Sequence, residues 1–207
     1  MMRPMLTLLM VTLPGLLAGC NQATSAGPAA KPAAKPAEQL AKAESKPAAT
    51  DDGIKLTVVD YDGILAAIAK HKGKVVVIDA WATWCPPCVK EFPGLVALHE
   101  KLGPEKVACV SLSFNDASVT DDSDDGEQAA LPFLQEQRAT FDNLIISNQD
   151  VGDMVYRKLK FASIPAVLVY NQEGNLEKLI MHSEEKGAKP TYEQVGELVD
   201  KLLADGQ

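Results

Sequence analysis

The sequence predicts an α/β domain whose sheet mixes parallel and antiparallel strands, and three stretches carry that prediction. Val75-Val76-Val77-Ile78 is an apolar, β-branched run of the kind that forms a strand buried on both faces. It leads through Asp79-Ala80-Trp81 into Trp84-Cys85-Pro86-Pro87-Cys88, after which Phe92, Leu95, Val96, Leu98 and Leu102 recur at helical spacing. A second apolar run over residues 106–114 follows, and strand, helix and strand at these lengths form a parallel crossover. Near the C-terminus, Ala166-Val167-Leu168-Val169-Tyr170 and residues 175–181 flank the turn Asn171-Gln172-Glu173-Gly174, an antiparallel pair.

Taken in order, the chain begins with segments that lie outside this domain. Arg3 supplies a positive start, and residues 5–17 form an apolar stretch too short to span a bilayer comfortably. Leu17-Ala18-Gly19-Cys20 then resembles the bacterial lipobox, in which small residues admit a peptidase and the cysteine thiol accepts lipid. The plainer alternative is an ordinary secretory signal that happens to contain a cysteine. On the lipobox reading, residues 1–19 are a signal peptide and the mature chain starts at lipidated Cys20, facing an oxidising compartment of the bacterial cell envelope. Residues 20–51 read as a linker, with Lys31-Pro32, Lys35-Pro36 and Lys46-Pro47 among many alanines and Leu40 as its large apolar residue. Such a segment buries too little surface to offset its ordering entropy and acts as a semi-stiff spacer. Residues 38–45 have the composition of a transient helix.

The domain, residues 52–207, opens with an alternating strand over 54–59. Asp62 is the expected cap of a short helix over 63–70, with Leu65, Ile68 and Ala69 inward. Pro93 must kink the helix after the cysteines, because it lacks an N–H and clashes with the preceding turn. Residues 115–127 are dense in Asp. The run Asp121-Asp122-Ser123-Asp124-Asp125-Gly126 does not fit the spacing of an EF-hand and reads as a solvated acidic loop. Helices are expected over 128–138, with Pro132 in the first turn, over 151–160 and over 192–204, where Val195, Leu198, Val199 and Leu202 face inward. A short strand is expected over 141–146.

Composition narrows the function. The 207-residue chain is 46% hydrophobic, enough for a globular core. Its formal charge of −8, with no basic cluster, argues against a nucleic-acid partner. The four cysteines separate into three roles. Cys20 is placed for lipidation, Cys109 lies mid-strand as a small buried hydrophobe, and Cys85 and Cys88 sit where a strand meets a helix N-terminus. That position favours thiolate over thiol, through free backbone N–H groups and the positive end of the helix dipole. Cys85 should be the more exposed and acidic, and Cys88 shielded one turn inside. A structural zinc site would need a second ligand pair, and His71, His99 and His182 are scattered singly, so no metal is expected. A permanent disulfide staple stays open as an alternative.

Asp79-Ala80-Trp81-Ala82-Thr83-Trp84-Cys85-Pro86-Pro87-Cys88 resembles the active-site segment of the thioredoxin superfamily, and the Pro-Pro dipeptide resembles its extracytoplasmic, membrane-tethered TlpA/ResA-like branch. The resemblance implies a thioredoxin-like three-layer α/β/α fold with a mixed central sheet. It also implies a thiol–disulfide oxidoreductase that needs no cofactor beyond the redox-active Cys85–Cys88 disulfide. Ser163-Ile164-Pro165 occupies the place of the family's cis-proline, where Ile164 would offer backbone groups to an extended partner chain. Pro86 and Pro87 would influence the reduction potential, and Trp84 belongs to the same motif. Asp79 matches the buried carboxylate of thioredoxin itself, where TlpA/ResA-like proteins often carry other residues. Burial would disfavour its ionised form and let it exchange a proton with Cys88 near neutral pH; the alternative is an Asp that caps a helix or binds water. Copper-delivery relatives place three residues between their cysteines, against two here, so His182 reads as a surface residue of the last strand. Implied partners are disulfides of exported proteins, such as apocytochrome c, and a membrane thiol donor. Two rivals are a lipoprotein binding module with a static disulfide and a peroxidase of the same fold, whose upstream Thr is only faintly echoed by Thr83-Trp84-Cys85.

Overall fold

A computed structural model of the chain describes residues 53–121, 123–182 and 191–206. By internal contacts the chain divides into Met1–Glu44 and Ser45–Gln207, and all described residues belong to the second unit. Cys20, the signal peptide over 1–19 and the linker over 20–51 lie outside the described residues.

The element order is β1 Leu56–Val59, α1 Tyr61–Lys70, β2 Val75–Trp81, α2 Pro86–Glu91, α3 Pro93–Leu102, β3 Val107–Ser113, α4 Glu127–Gln137, β4 Asp142–Ile146, α5 Gln149–Leu159, β5 Ala166–Tyr170, β6 Leu176–Met181 and α6 Thr191–Asp205. The strands form one six-stranded sheet in the order β1-β4-β3-β2-β5-β6. β2 lies near its centre, parallel to β3 and antiparallel to β5, and β5 pairs antiparallel with β6. This is the mixed sheet that the parallel crossover and the C-terminal hairpin predict.

Every residue of β2 and β3 is buried, as expected of strands covered on both faces. α1 and α5 pack together on one face. On the other, α3 packs on β3 and α6 on β2, β5 and β6. α4 joins this second layer through Phe133, whose ring centroid lies 4.7 Å from Trp81 and 5.1 Å from Phe92. These tilted and edge-on pairs close the core beneath the end of β2. The result is three layers.

The redox helix breaks where the sequence predicts. Pro93 cannot donate to Val89, so α2 ends at Glu91 and α3 starts at Pro93, joined through Phe92. Gly103, at φ +70°, ends α3 with a backbone conformation that a side chain would strain.

Several expectations are corrected. Asp60, not Asp62, caps α1: its side chain accepts from Gly63 N at 2.9 Å, which starts the helix two residues earlier. The inward face of α1 is Ile64 and Ile68, while Leu65 is 42% exposed and Ala69 faces solvent. Pro132 stands in the middle of α4 and not in its first turn, because the helix starts at Glu127. The acidic loop is only partly solvated. Asp116 is buried and accepts from Ser118 N at 2.8 Å and from Gln149 N, the first residue of α5, at 2.9 Å. Asp125 Oδ1 accepts from Asp116 N at 2.8 Å. Backbone donors thus hold these two carboxylates within the fold.

Candidate active site

The site forms at the C-terminal end of β2. Strand β2 delivers Trp81 into the core, and the chain turns through Thr83 and Trp84 before Cys85. Asn115, fully buried just past β3, fixes that turn: its Oδ1 accepts from Thr83 N at 3.0 Å and its Nδ2 donates to Thr83 Oγ1. Thr83 Oγ1 in turn donates to Asp124 O, which ties the acidic loop to the residues before the cysteines.

Cys85 is the N-cap of α2, with Pro86 and Pro87 as its first two helical residues. These prolines carry no N–H, and Val89 N donates to Cys85 O at 3.1 Å. The first turn therefore keeps the Cys88 amide as its free donor, a weaker anion-stabilising end than a helix with four. Cys85 and Cys88 are joined as a disulfide, their Cα atoms 5.3 Å apart. Cys85 is 6% exposed and Cys88 1%. The expected order of access holds, but Cys85 is a buried residue in this disulfide form, not an exposed one. Trp84, 48% exposed, and Pro86 stand out on either side of it.

The Ile164–Pro165 peptide bond is cis. Ala166 pairs with Ala80, so Pro165 lies at the end of the sheet from which β2 runs to the cysteines. Pro165 is buried, and Ile164 beside it is half-buried.

Asp79 is 3% exposed, in register with Ser111 on β3 and Val167 on β5. Burial raises its pKa to about 7, against a hydrogen bond from Tyr192 that lowers it, and the Glu91 charge adds to the rise. Tyr192 OH donates to Asp79 Oδ2. The helix-capping alternative for Asp79 is set aside, since its partner is a phenol on α6. Cys109, buried in β3, has its pKa pushed to about 12 by burial and by the Asp79 charge. A thiol held there stays protonated and inert.

Four residues near this site escaped the sequence reading. Tyr192 opens the helix expected over 192–204 but is not among its expected inward residues. Asn115 reads as part of the acidic loop. Glu91 stands three residues after Cys88 on the same helix, and that spacing was the one available signal. His182 is not simply a surface residue: its Nδ1 bonds Glu91 Oε1, and its backbone N donates to Pro165 O at 3.4 Å. Glu91 Oε2 is buried and has no hydrogen-bond partner among the described residues. Also among the described residues, no group of three or more His, Cys, Asp or Glu is placed to hold a metal, and no helix is long and apolar enough to cross a membrane.

A buried cysteine disulfide at a helix start, a buried carboxyl with a raised pKa and a cis-proline at one sheet end suit thiol–disulfide exchange. Comparison with known proteins agrees. A model of the Redoxin family matches residues 32–195. The Thiol-disulfide oxidoreductase ResA of Bacillus thuringiensis subsp. konkukian (strain 97-27) is 26% identical over 159 residues, 77% of this chain and 81% of that protein. The Sporulation thiol-disulfide oxidoreductase A of Bacillus subtilis (strain 168) is 23% identical over 138 residues, 67% of this chain and 76% of that protein. Among solved structures, a thiol-disulfide isomerase from Corynebacterium glutamicum superposes with a TM-score of 0.52 at 17% identity, covering 66% of this chain and 84% of that one. A thiol:disulfide interchange protein of the thioredoxin family from Chlorobium tepidum TLS gives 0.50 at 18% identity, covering 65% and 83%, and both likenesses speak for the fold. The chain belongs to the Redoxin family, with a thioredoxin-like fold, and is a thiol–disulfide oxidoreductase.

Proposed function

We propose that this oxidoreductase is held by lipid on Cys20 to the periplasmic side of a membrane of the bacterial cell envelope, and that it reduces disulfides of exported proteins. The observation that carries the chemistry is the Cys85–Cys88 disulfide at the N-terminus of α2, formed by the same chain that buries Asp79 in β2. Residues 1–19 act as the signal peptide, 20–51 as the spacer and 52–207 as the catalytic domain. Apocytochrome c is the substrate type suggested by resemblance to the TlpA/ResA-like branch.

In the reduced enzyme, Cys85 thiolate attacks a substrate disulfide. A Cys85–substrate disulfide forms and the substrate's other sulfur leaves as thiolate. Cys88 then gives its proton to the Asp79 carboxylate and attacks Cys85 Sγ. The substrate departs as its second thiolate and the Cys85–Cys88 disulfide is left. Two electrons have passed to the substrate, and a membrane thiol donor restores the dithiol by the reverse exchange. The disulfide carries the electrons, so no organic cofactor takes part. Trp84 and Ile164 flank the entrance as an apolar landing for an extended chain. The Ile164 backbone aligns that chain, and Pro86 and Pro87 tune the potential by removing two donors for the thiolate.

Equilibration with glutathione tests the direction. The Cys85–Cys88 pair should exchange freely, with a potential below about −200 mV, as a net reductant requires. A value near about −120 mV, that of a strong oxidant, or no exchange at all would overturn the reductive reading. The anchor is tested separately: Cys20→Ser should move the protein out of the membrane fraction or leave its precursor unprocessed. Fatty-acid labelling that persists in this variant would contradict lipidation at Cys20.

A further inference from the structure

Asp79 does not sit alone in β2. Tyr192, the second residue of α6, donates its phenolic O–H to Asp79 Oδ2 across 113 residues of sequence. The ring has a fixed seat. A Cβ built on Gly94 would stand 2.4 Å from Tyr192 Cγ and Cδ2, so the ring lies against the bare backbone that follows Pro93. Burial, then the Asp79 charge, hold the phenol well above its ordinary pKa. It therefore remains a donor and does not compete for the proton.

Among the described residues, the other groups that face Asp79 act against its ionisation or play no part in it. Glu91, from α2, opposes a second negative charge, and His182 bonds that same Glu91. Cys109, from β3, stays a neutral thiol. The Tyr192 hydrogen bond is, among the described residues, the interaction on the Asp79 carboxyl that favours the carboxylate.

We propose that Tyr192 is a positioning residue for the exchange reaction: its phenol fixes Asp79 Oδ2 and orients the carboxylate to take the Cys88 proton. The proposal rests on the reading of Asp79 as the base. It also links two helices: the ring that positions Asp79 is seated on Gly94, just after the kink of the redox helix.

Tyr192→Phe tests it, because the ring stays against Gly94 and only the donor is lost. Carbon-13 NMR of the Asp79 carboxyl across pH should show its acid dissociation weakened by about tenfold, the size expected for one lost charge-assisted hydrogen bond. Resolution by Cys88 of a glutathione adduct on Cys85 should slow severalfold at pH 7 and recover at higher pH. In an Asp79→Asn background, Tyr192→Phe should add nothing to the rate. An unmoved Asp79 titration would overturn the proposal. So would a rate loss that is uniform across pH or that persists in the Asp79→Asn background, since either marks a merely structural role. If Asp79→Asn alone leaves the pH profile intact, the base reading fails and the kinetic role of Tyr192 fails with it. The carboxyl titration then decides separately whether Tyr192 holds Asp79.

Discussion

Cys88→Ser should stop the enzyme at the mixed disulfide. With Cys88 at 1% exposure and Cys85 at 6%, a substrate disulfide meets Cys85 first, and the adduct forms there. Resolution in the wild-type protein is intramolecular, by a thiol held one helical turn away. Intramolecular partners of good geometry act at effective concentrations of about 10⁵ M or more, whereas an external thiol is present at roughly millimolar levels. Turnover with a protein disulfide should therefore fall by at least about a thousandfold, and the Cys85-linked complex should accumulate under non-reducing conditions. Cys109 cannot substitute, because burial holds it as a thiol with a pKa of about 12 on the neighbouring strand. The companion variant Cys85→Ser should give no adduct, since Cys88 lies behind. Mass spectrometry of the trapped complexes checks both. Equal adduct yields from the two variants would reverse the assignment of attacking and resolving thiol.

Where the sequence was informative, the reason was local. The run Val75-Val76-Val77-Ile78 is apolar without alternation, and this suits a strand covered on both faces, which β2 is. Pro93 splits the redox helix because its missing N–H is a property of one residue, and Cys109 is buried because its neighbours in the strand are apolar. Where the reading failed, the deciding contact was local but ambiguous, or distant. Asp60 and Asp62 are both competent caps two residues apart. The helix uses Asp60, and packing against the sheet buries Ile64 and leaves Leu65 exposed. Asp116 looks like one more solvated acid until α5 places the Gln149 amide on it, 33 residues on. Tyr192 reaches Asp79 across 113 residues, and nothing in the helical period of α6 separates a phenol aimed at a carboxyl from an aromatic filling the core. His182 reads as the tail of an edge strand, and its bond to Glu91 exists only once α2 and β6 are folded beside each other.

Asp79→Asn should separate catalysis from stability, moving them in opposite directions. The substitution keeps the size of the side chain and an oxygen for the Tyr192 donor, but removes the group that titrates. Attack by Cys85 on a small disulfide should change little, because the nucleophile stands at the helix start and not beside the carboxyl in sequence or register. Resolution by Cys88 should slow by about 10²-fold at pH 7 to 8, at the lower end of what a positioned general base supplies. In the wild-type protein that step should rise through about pH 7, where Asp79 becomes a carboxylate. In the variant the inflection should vanish, and the rate should climb instead with the ionisation of the thiol itself. Stability moves the other way. Asp79 has a folded pKa of about 7 against an ordinary value of 3.8, so between those limits the folded state keeps a proton that the unfolded state has released. The proton-linked stability is fully present below about pH 4 and is lost as pH rises through 7. The asparagine variant carries no such loss. At pH 8 it should be the more stable protein, by up to about 4 kcal/mol, and the advantage should shrink towards zero at pH 4. Denaturant unfolding at the two pH values and stopped-flow resolution of a mixed disulfide across pH measure the two effects independently. Superimposable rate profiles would make Asp79 a spectator in exchange, and a stability difference with no dependence on pH would show that its proton does not follow folding.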